Sequence, residues 1–265
     1  MKINRYAAGV EYFGTKYKGW QIQKSTEDTI QSRIDEALSK IADSEIKSTC
    51  AGRTDSGVNA LSQVIHFDSE KKRTLKAWME GCNSILPDDI KFIWVKKVSE
   101  DFHARFSAFK RTYKYIVLNK KNTSIFYKNR TLQVKEKINL EIMKEASKYL
   151  VGEKDFTSFR SSGCQSKSPM REIYKISISK KKDLITFEIS ANAFLLNMVR
   201  IIVGTLLEFG LENRNPNLMR SIIEGCDRSL SGKTIASDGL YFIGPEYPSE
   251  FKIKKPPLKY QILPN

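Results

Sequence analysis

Arg53, Thr54, Asp55 and Ser56 lie between Gly52 and Gly57 in the stretch CAGRTDSGVNA, residues 50–60. A carboxylate two residues from a guanidinium, in so short a segment, has two readings. Asp-Ser-Gly is favourable turn chemistry, because Asp bonds its own backbone and Gly accepts a positive φ. The other reading is chemical. An aspartate beside a fixed arginine stays ionised, since the opposite charge favours the carboxylate. An ionised carboxylate can attack an electrophilic sugar carbon, as in retaining glycosidases, and a nucleotide's glycosidic bond is such a target. From the residues alone both readings stand. The stretch also has the G-x-x-x-x-G outline of a phosphate loop. Val58 and Asn59 stand where its Lys and Ser/Thr belong, so that role has no support.

The remaining reactive side chains narrow the chemistry. There are only two histidines, His66 and His103, which argues against Ser-His or Cys-His catalysis and against most His-ligated metals. Both read as packing or hydrogen-bonding residues. Cys50, Cys82, Cys164 and Cys226 are far apart with no C-x-x-C pair, so zinc and redox motifs are missing and the thiols suit a reducing compartment. Acid–base work falls to Asp, Glu, Tyr or Lys. Arg200 interrupts an apolar run, where burial is costly unless the charge is paired. It either bridges to the surface or pairs with Asp55 or a phosphate.

The net charge of +15 over 265 residues implies a polyanionic partner. No apolar run approaches the ~18–20 residues of a spanning helix, and the start lacks a signal-peptide core, so a cytoplasmic setting with nucleic acid as partner is expected. Residues 102–137 hold ten Lys or Arg against one acid, Glu136. Phe102, Phe106, Phe109, Tyr113, Tyr115, Phe126 and Tyr127 interleave with them. Basic groups neutralise phosphates and aromatic faces stack unpaired bases, whereas the plainer alternative is a solvated face over core aromatics. The segment 159–171, with Arg160, Lys167 and Arg171, reads equally as an RNA-contacting loop or an ordinary exposed one.

Several elements must position these groups. A strand over 3–12 precedes a helix over 29–43, with Ile30, Ile34, Ala37, Leu38 and Ile41 at helical spacing. Short strands follow at 45–50 and 62–69, then a helix over 75–86 ending at Pro87, and a strand over 90–98. Beyond a boundary near 105–112 come a strand at 111–119, a helix after Asn139 with Gly152 past its end, and two strands joined by the KKKD turn. An apolar helix over 193–210 and a helix capped by Asn215 with Pro216 first complete the pattern. The proline- and lysine-rich tail, 248–265, reads as irregular.

Taken together, AGRTDSGV, LPDDI, DFHARFSA, RTYKY, GEKDFTSFR, NAFLLNMVRIIVG and GLYF, between GVEYFGTKYKGWQ and the terminal KPPL, closely resemble the tRNA pseudouridine synthases of the A class. The resemblance implies an α+β fold of two similar halves, 1–107 and 108–265, whose antiparallel or mixed sheets and flanking helices surround a central basic RNA-binding cleft. It implies a homodimer that isomerises uridines 38, 39 and 40 in the tRNA anticodon stem-loop without metal or organic cofactor. On the same ground Asp55 is the nucleophile. Tyr113 packs on the target uracil, Arg53 fills the space a flipped base vacates, and Arg200 pairs with the catalytic carboxylate. Family members usually carry a His where this chain has Asn59, which keeps a donor and an acceptor but cannot titrate. A non-catalytic RNA binder would explain the charge and aromatics but not the Arg53–Asp55 turn. A glycosidic-bond hydrolase would also use Asp but release free base.

Overall fold

The computed structural model describes residues 3–23, 26–122 and 125–256; the last two residues of the KPPL motif and the rest of the tail, 257–265 in all, lie outside the described residues. In chain order the elements are β1 (Asn4–Tyr12), α1 (Ile30–Ala42), β2 (Thr49–Cys50), β3 (Asn59–Ser69), α2 (Leu75–Ile85), β4 (Ile90–Lys97), β5 (Lys110–Asn119), β6 (Leu132–Val134), α3 (Leu140–Lys148), β7 (Gly152–Asp155), β8 (Met170–Lys181), β9 (Leu184–Ala191), α4 (Met198–Glu212), α5 (Leu218–Glu224) and β10 (Leu240–Glu246). This is an α+β chain, as its sequence implies. It divides into two compact units. One runs to Arg111 and resumes at Tyr241; the other spans Thr112–Leu240.

In the first unit β4, β1 and β3 pair antiparallel in that order, while β10 lies parallel to β3 through Tyr241 opposite Asn59 and Phe242 opposite Ala60. β2 adds antiparallel to β3, Cys50 opposite Ile65. α1 starts at Thr29, whose hydroxyl accepts from the Ser32 amide, and ends at Asp43 in the left-handed region, φ 53°. α2 brings Trp78 onto the sheet, with Phe67 5.1 Å and Tyr6 5.5 Å away between ring centres. A second cluster of Ala7, Ala51, Val64, Phe102 and Ala104 is covered by Tyr247, Phe251 and Ile253 from the returning segment. β10 is an element the sequence reading did not identify. The expected 45–50 strand shrinks to Thr49–Cys50, and the 62–69 strand starts three residues earlier.

In the second unit β5, β9, β8 and β7 follow one another, with β6 parallel to β5. β8 and β9 form a hairpin whose last pair is Lys181 with Leu184, and Lys182 takes φ 55° in the turn. Asn139 caps α3 through the Ile142 amide, as expected. Gly152 does not cap that helix; it opens β7 at φ 96°. α4 begins only at Met198, because Asn197 adopts φ 59° and breaks the apolar run. Arg200 therefore sits in the first turn of α4. α5 likewise starts later than expected, and the Asn215 side chain accepts from the Asn217 amide in the preceding turn.

Candidate active site

The Asp55 loop joins β2 to β3 and is pinned along its length. The Gly52 carbonyl accepts from Gln63 Nε2 at 2.6 Å. The Thr54 carbonyl accepts from the Trp20 amide at 2.9 Å, and its hydroxyl lies 2.8 Å from the buried Tyr12 hydroxyl. The Tyr17 carbonyl accepts from Ser56 Oγ at 3.1 Å and from the Gly57 amide at 3.3 Å. The Val58 amide closes a turn onto the Asp55 carbonyl at 3.2 Å, with Gly57 at φ 79°. Thr54 and Val58 are buried, Asp55 half-buried, and Arg53 and Ser56 exposed. The turn thus exists, and it leaves the Asp55 side chain within reach of solvent.

The platform beneath this loop is the segment after β1. Gly19 has φ 91°, and a Cβ there would fall 2.9 Å from the Thr54 carbonyl, so only glycine lets the two backbones meet. Asn59 explains its own place. It is 1% exposed, and its Oδ1 accepts from the Gly14 amide at 2.9 Å. It therefore ties the far end of the loop to the 14–16 turn and presents no surface to RNA. Tyr12, Tyr17, Gly19, Trp20 and Gln63 were not singled out as site residues. The only signal for the first four was the motif GVEYFGTKYKGWQ, whose glycines mark close backbone approach; Gln63 had none.

Tyr113 lies on β5, 8% exposed, with its ring edge-to-face against Phe194 at 5.0 Å. The same segment that supplies Phe194 also orients Arg200. Its Asn197 Oδ1 accepts from an Arg200 terminal nitrogen at 2.7 Å, while Arg200 Nε donates to the Ile235 carbonyl at 2.7 Å. Residues 194–200 thus fix both Tyr113 and Arg200 within the second unit.

The basic aromatic stretch resolves into distinct parts. Phe102 and Tyr115 are core; Phe106 and Phe126 are each 75% exposed. Lys110, Lys114 and Lys120 form ion pairs with Glu246, Glu188 and Asp183. Arg111 is structural: its guanidinium donates to the Ala108, Ala51 and Arg105 carbonyls, fastening the 105–108 loop beside the start of the Asp55 loop. On that loop Phe106 stacks on His103 at 4.3 Å, with Arg105 5.5 Å from its ring centre. His66 Nδ1 accepts from the Ala104 amide, and His103 Nδ1 from the Arg105 and Phe106 amides. Both histidines are hydrogen-bonding residues, as their sequence context suggests. Burial pushes the Cys50 thiol up to about 12, against the charges of Arg53 and Arg105, so it is inert beside the loop.

Comparison with known proteins gives a consistent picture. A family model described as tRNA pseudouridine synthase matches residues 8–107 and 146–248. A Francisella philomiragia protein named tRNA pseudouridine synthase A is 45% identical over 253 residues, covering 96% of this chain and 97% of its own length. Proteins of the same name from Colwellia psychrerythraea and Buchnera aphidicola are each 45% identical, over 251 and 252 residues. They cover 95% of this chain, and 96% and 95% of their own lengths.

Proposed function

The chain belongs to the tRNA pseudouridine synthase family, and from that premise we propose that it isomerises uridine to pseudouridine at positions 38, 39 and 40 of the tRNA anticodon stem-loop. The observation that carries the reading is the Asp55 loop. It is held from Gly52 to Val58 by partners on β1, β3 and the 14–20 segment, yet leaves a half-buried carboxylate accessible. Such rigidity places a nucleophile without reorganisation at the moment of reaction.

The target base first leaves its stack, at a cost of a few kcal/mol. Arg53, exposed beside Asp55, occupies the vacated space. Asp55 then attacks C1′ as the C1′–N1 bond breaks, or removes the 2′ proton to give a glycal. The uracil turns against Tyr113 and C5 bonds to C1′ as the Asp55–C1′ bond breaks, or as C2′ regains its proton on the glycal route; the C5 proton then departs and N1 gains one. On this reading Tyr113 accepts the C5 proton, and Arg200 serves as partner of the catalytic carboxylate. The atoms balance within the substrate, so the reaction calls for no redox or group-transfer cofactor. The exposed Phe106 and Phe126 and the surrounding basic groups hold the RNA. The enzyme acts as a homodimer in the cytoplasm; among the described residues no helix is long and apolar enough to cross a membrane.

The test is tRNA carrying tritium at uridine C5. Release of tritium to water with no free uracil supports the isomerase; free uracil indicates a hydrolase, and no reaction a binder. Asp55→Asn should abolish release while RNA affinity stays within a few-fold. Turnover retained in that variant would remove Asp55 as nucleophile.

A further inference from the structure

The second unit contains a hollow of about 680 Å³ that the reading above does not use. Thr157, Arg160, Ser161, Cys164, Arg228 and Thr234 are among its lining residues, and no acid is. Its size suits a ligand pocket. Arg160 is anchored through one terminal nitrogen to the Cys164 and Ser166 carbonyls, at 2.9 and 2.6 Å. Arg228 is anchored to Ser231 and to the Thr234 hydroxyl. In both, Nε stays without a protein acceptor, and among the described residues neither guanidinium has a carboxylate partner. Asp227, next to Arg228, instead accepts from the Ser229 amide.

A third arginine adds to the imbalance. Arg171 donates to Ser166 Oγ at 2.6 Å, on the residue whose carbonyl binds Arg160, and its buried Nε has no partner. Burial, then the charge of Arg160, hold Arg171 below the ordinary guanidinium value, with Cys164 opposing. Guanidiniums gathered with no carboxylate partner among the described residues, amid hydroxyls, match an anion with several oxygens. The wall of the hollow is also linked to Arg200 through hydrogen bonds and chain neighbours. Ser161 Oγ accepts from Asn197 Nδ2 at 3.0 Å, Asn197 holds Arg200, and Ile235, which follows the lining Thr234, binds Arg200 Nε.

We propose that this hollow is a phosphodiester-binding site for the tRNA substrate, in which Arg160 and Arg228 grip the backbone phosphate beside the target nucleotide. The inference rests on the reading of this protein as a tRNA enzyme. Holding that phosphate fixes the ribose next to Arg200 and opposes restacking of the flipped base. The segment 159–171 is then substrate-binding structure, with its arginines preset by their carbonyl anchors.

The wild-type enzyme provides the first test, because Cys164 lines the hollow. Mass spectrometry follows alkylation of Cys164 and of exposed Cys226 with an anticodon stem-loop RNA, or with inorganic phosphate at the same ionic strength. RNA should slow Cys164 alkylation at least severalfold and leave Cys226 unchanged. Equal Cys164 rates with and without RNA overturn the proposal. Equal protection by inorganic phosphate also overturns it, making the hollow a free-anion site.

The second test uses stem-loops carrying one neutral methylphosphonate at a time near the target. One position should weaken wild-type binding about tenfold, the scale of a lost charged hydrogen bond. Arg228→Gln should be indifferent to that same position, with a salt slope lower by about 0.7–0.9, while Arg228→Lys keeps most of the slope. Losses that simply add at every position refute the contact. Tritium release by the same wild-type preparation separates the outcomes: turnover without Cys164 protection sinks this site alone, and no turnover sinks the pseudouridine synthase reading.

Discussion

Asn59→Ala removes one acceptor and leaves the buried Gly14 amide facing no oxygen. The contact is a 2.9 Å bond between a side chain 1% exposed and a buried backbone donor. Water has no easy route to replace it. A Cβ on Gly14 would fall 2.0 Å from the Val58 carbonyl, so the 14–16 turn already packs against the loop and has little room to shift. An unsatisfied buried donor costs about 1–3 kcal/mol. At about 2–4 °C per kcal/mol for a chain of this size, thermal unfolding of Asn59→Ala should fall by several degrees. Because Asn59 holds the end of the Asp55 loop, kcat should fall while RNA affinity stays near wild type. Asn59→His offers Nδ1 at nearly the position of the Asn oxygen and should recover much of both losses. Differential scanning calorimetry and steady-state tritium release measure the two effects. If Asn59→Ala unfolds at the wild-type temperature with unchanged kcat, the tie to Gly14 is not what holds the loop.

Three further outcomes follow from the same contacts. Tyr113→Phe should preserve detachment of the base but slow the final proton loss, seen as a lower rate of C5 tritium release; an unchanged rate removes Tyr113 as the base. Phe106→Leu keeps apolar bulk but loses the ring, and should weaken stem-loop binding by about 1–3 kcal/mol, whereas Phe106→Trp should retain affinity and report binding by fluorescence quenching. Equal affinity of the Leu and Trp variants would rule out stacking. Finally, burial, followed by the charges of His103 and Arg5 and against Asp68, pushes His66 down to about 4 from 6.5. The unfolded chain therefore takes up a proton that the folded chain refuses, so stability is full above pH 6.5 and declines as pH falls toward 4. His66→Asn, which can still accept from the Ala104 amide, should show a flatter urea-midpoint profile between pH 7 and 4.5; parallel profiles would assign the loss to other groups.

The elements that sequence reading placed well are those whose signals are local. α1 carries helical spacing and the Thr29 cap, α2 has Pro87 just past its end, and the hairpin of β8 and β9 has a polar turn. Where the signal was uniform, the boundary slipped. Residues 193–210 are apolar almost throughout, and apolarity alone does not show that Asn197 turns left-handed and delays the helix to Met198. β10 was hidden because Gly244, at φ 141°, and Pro245 interrupt its strand character, and because its partner β3 lies far away in sequence. The site shows the same division. The glycines around Arg53 and Asp55 announce a special turn, but Tyr12, Trp20 and Gln63 hold that turn across distances that leave no spacing pattern. Charge counting found the basic stretch but could not tell Arg111, bound to three carbonyls, from the exposed Arg105.

The parallel pairing of β10 with β3 has a consequence for synthesis on the ribosome. Tyr241 aligns with Asn59, the first residue after the Asp55 loop. The first unit is therefore unfinished when Arg111 emerges and waits about 130 further residues for its last strand. At translation rates of ~5–20 residues per second, that delay is on the order of ten seconds. Throughout it the start of β3, at Asn59 and Ala60, lacks its parallel partner and is open to stray pairing by other nascent chains. A transcript cut short before Tyr241 would yield a protein with the whole Asp55 loop in its sequence and no finished sheet edge behind it. Competence arrives late in translation, when the end of the chain closes over its beginning.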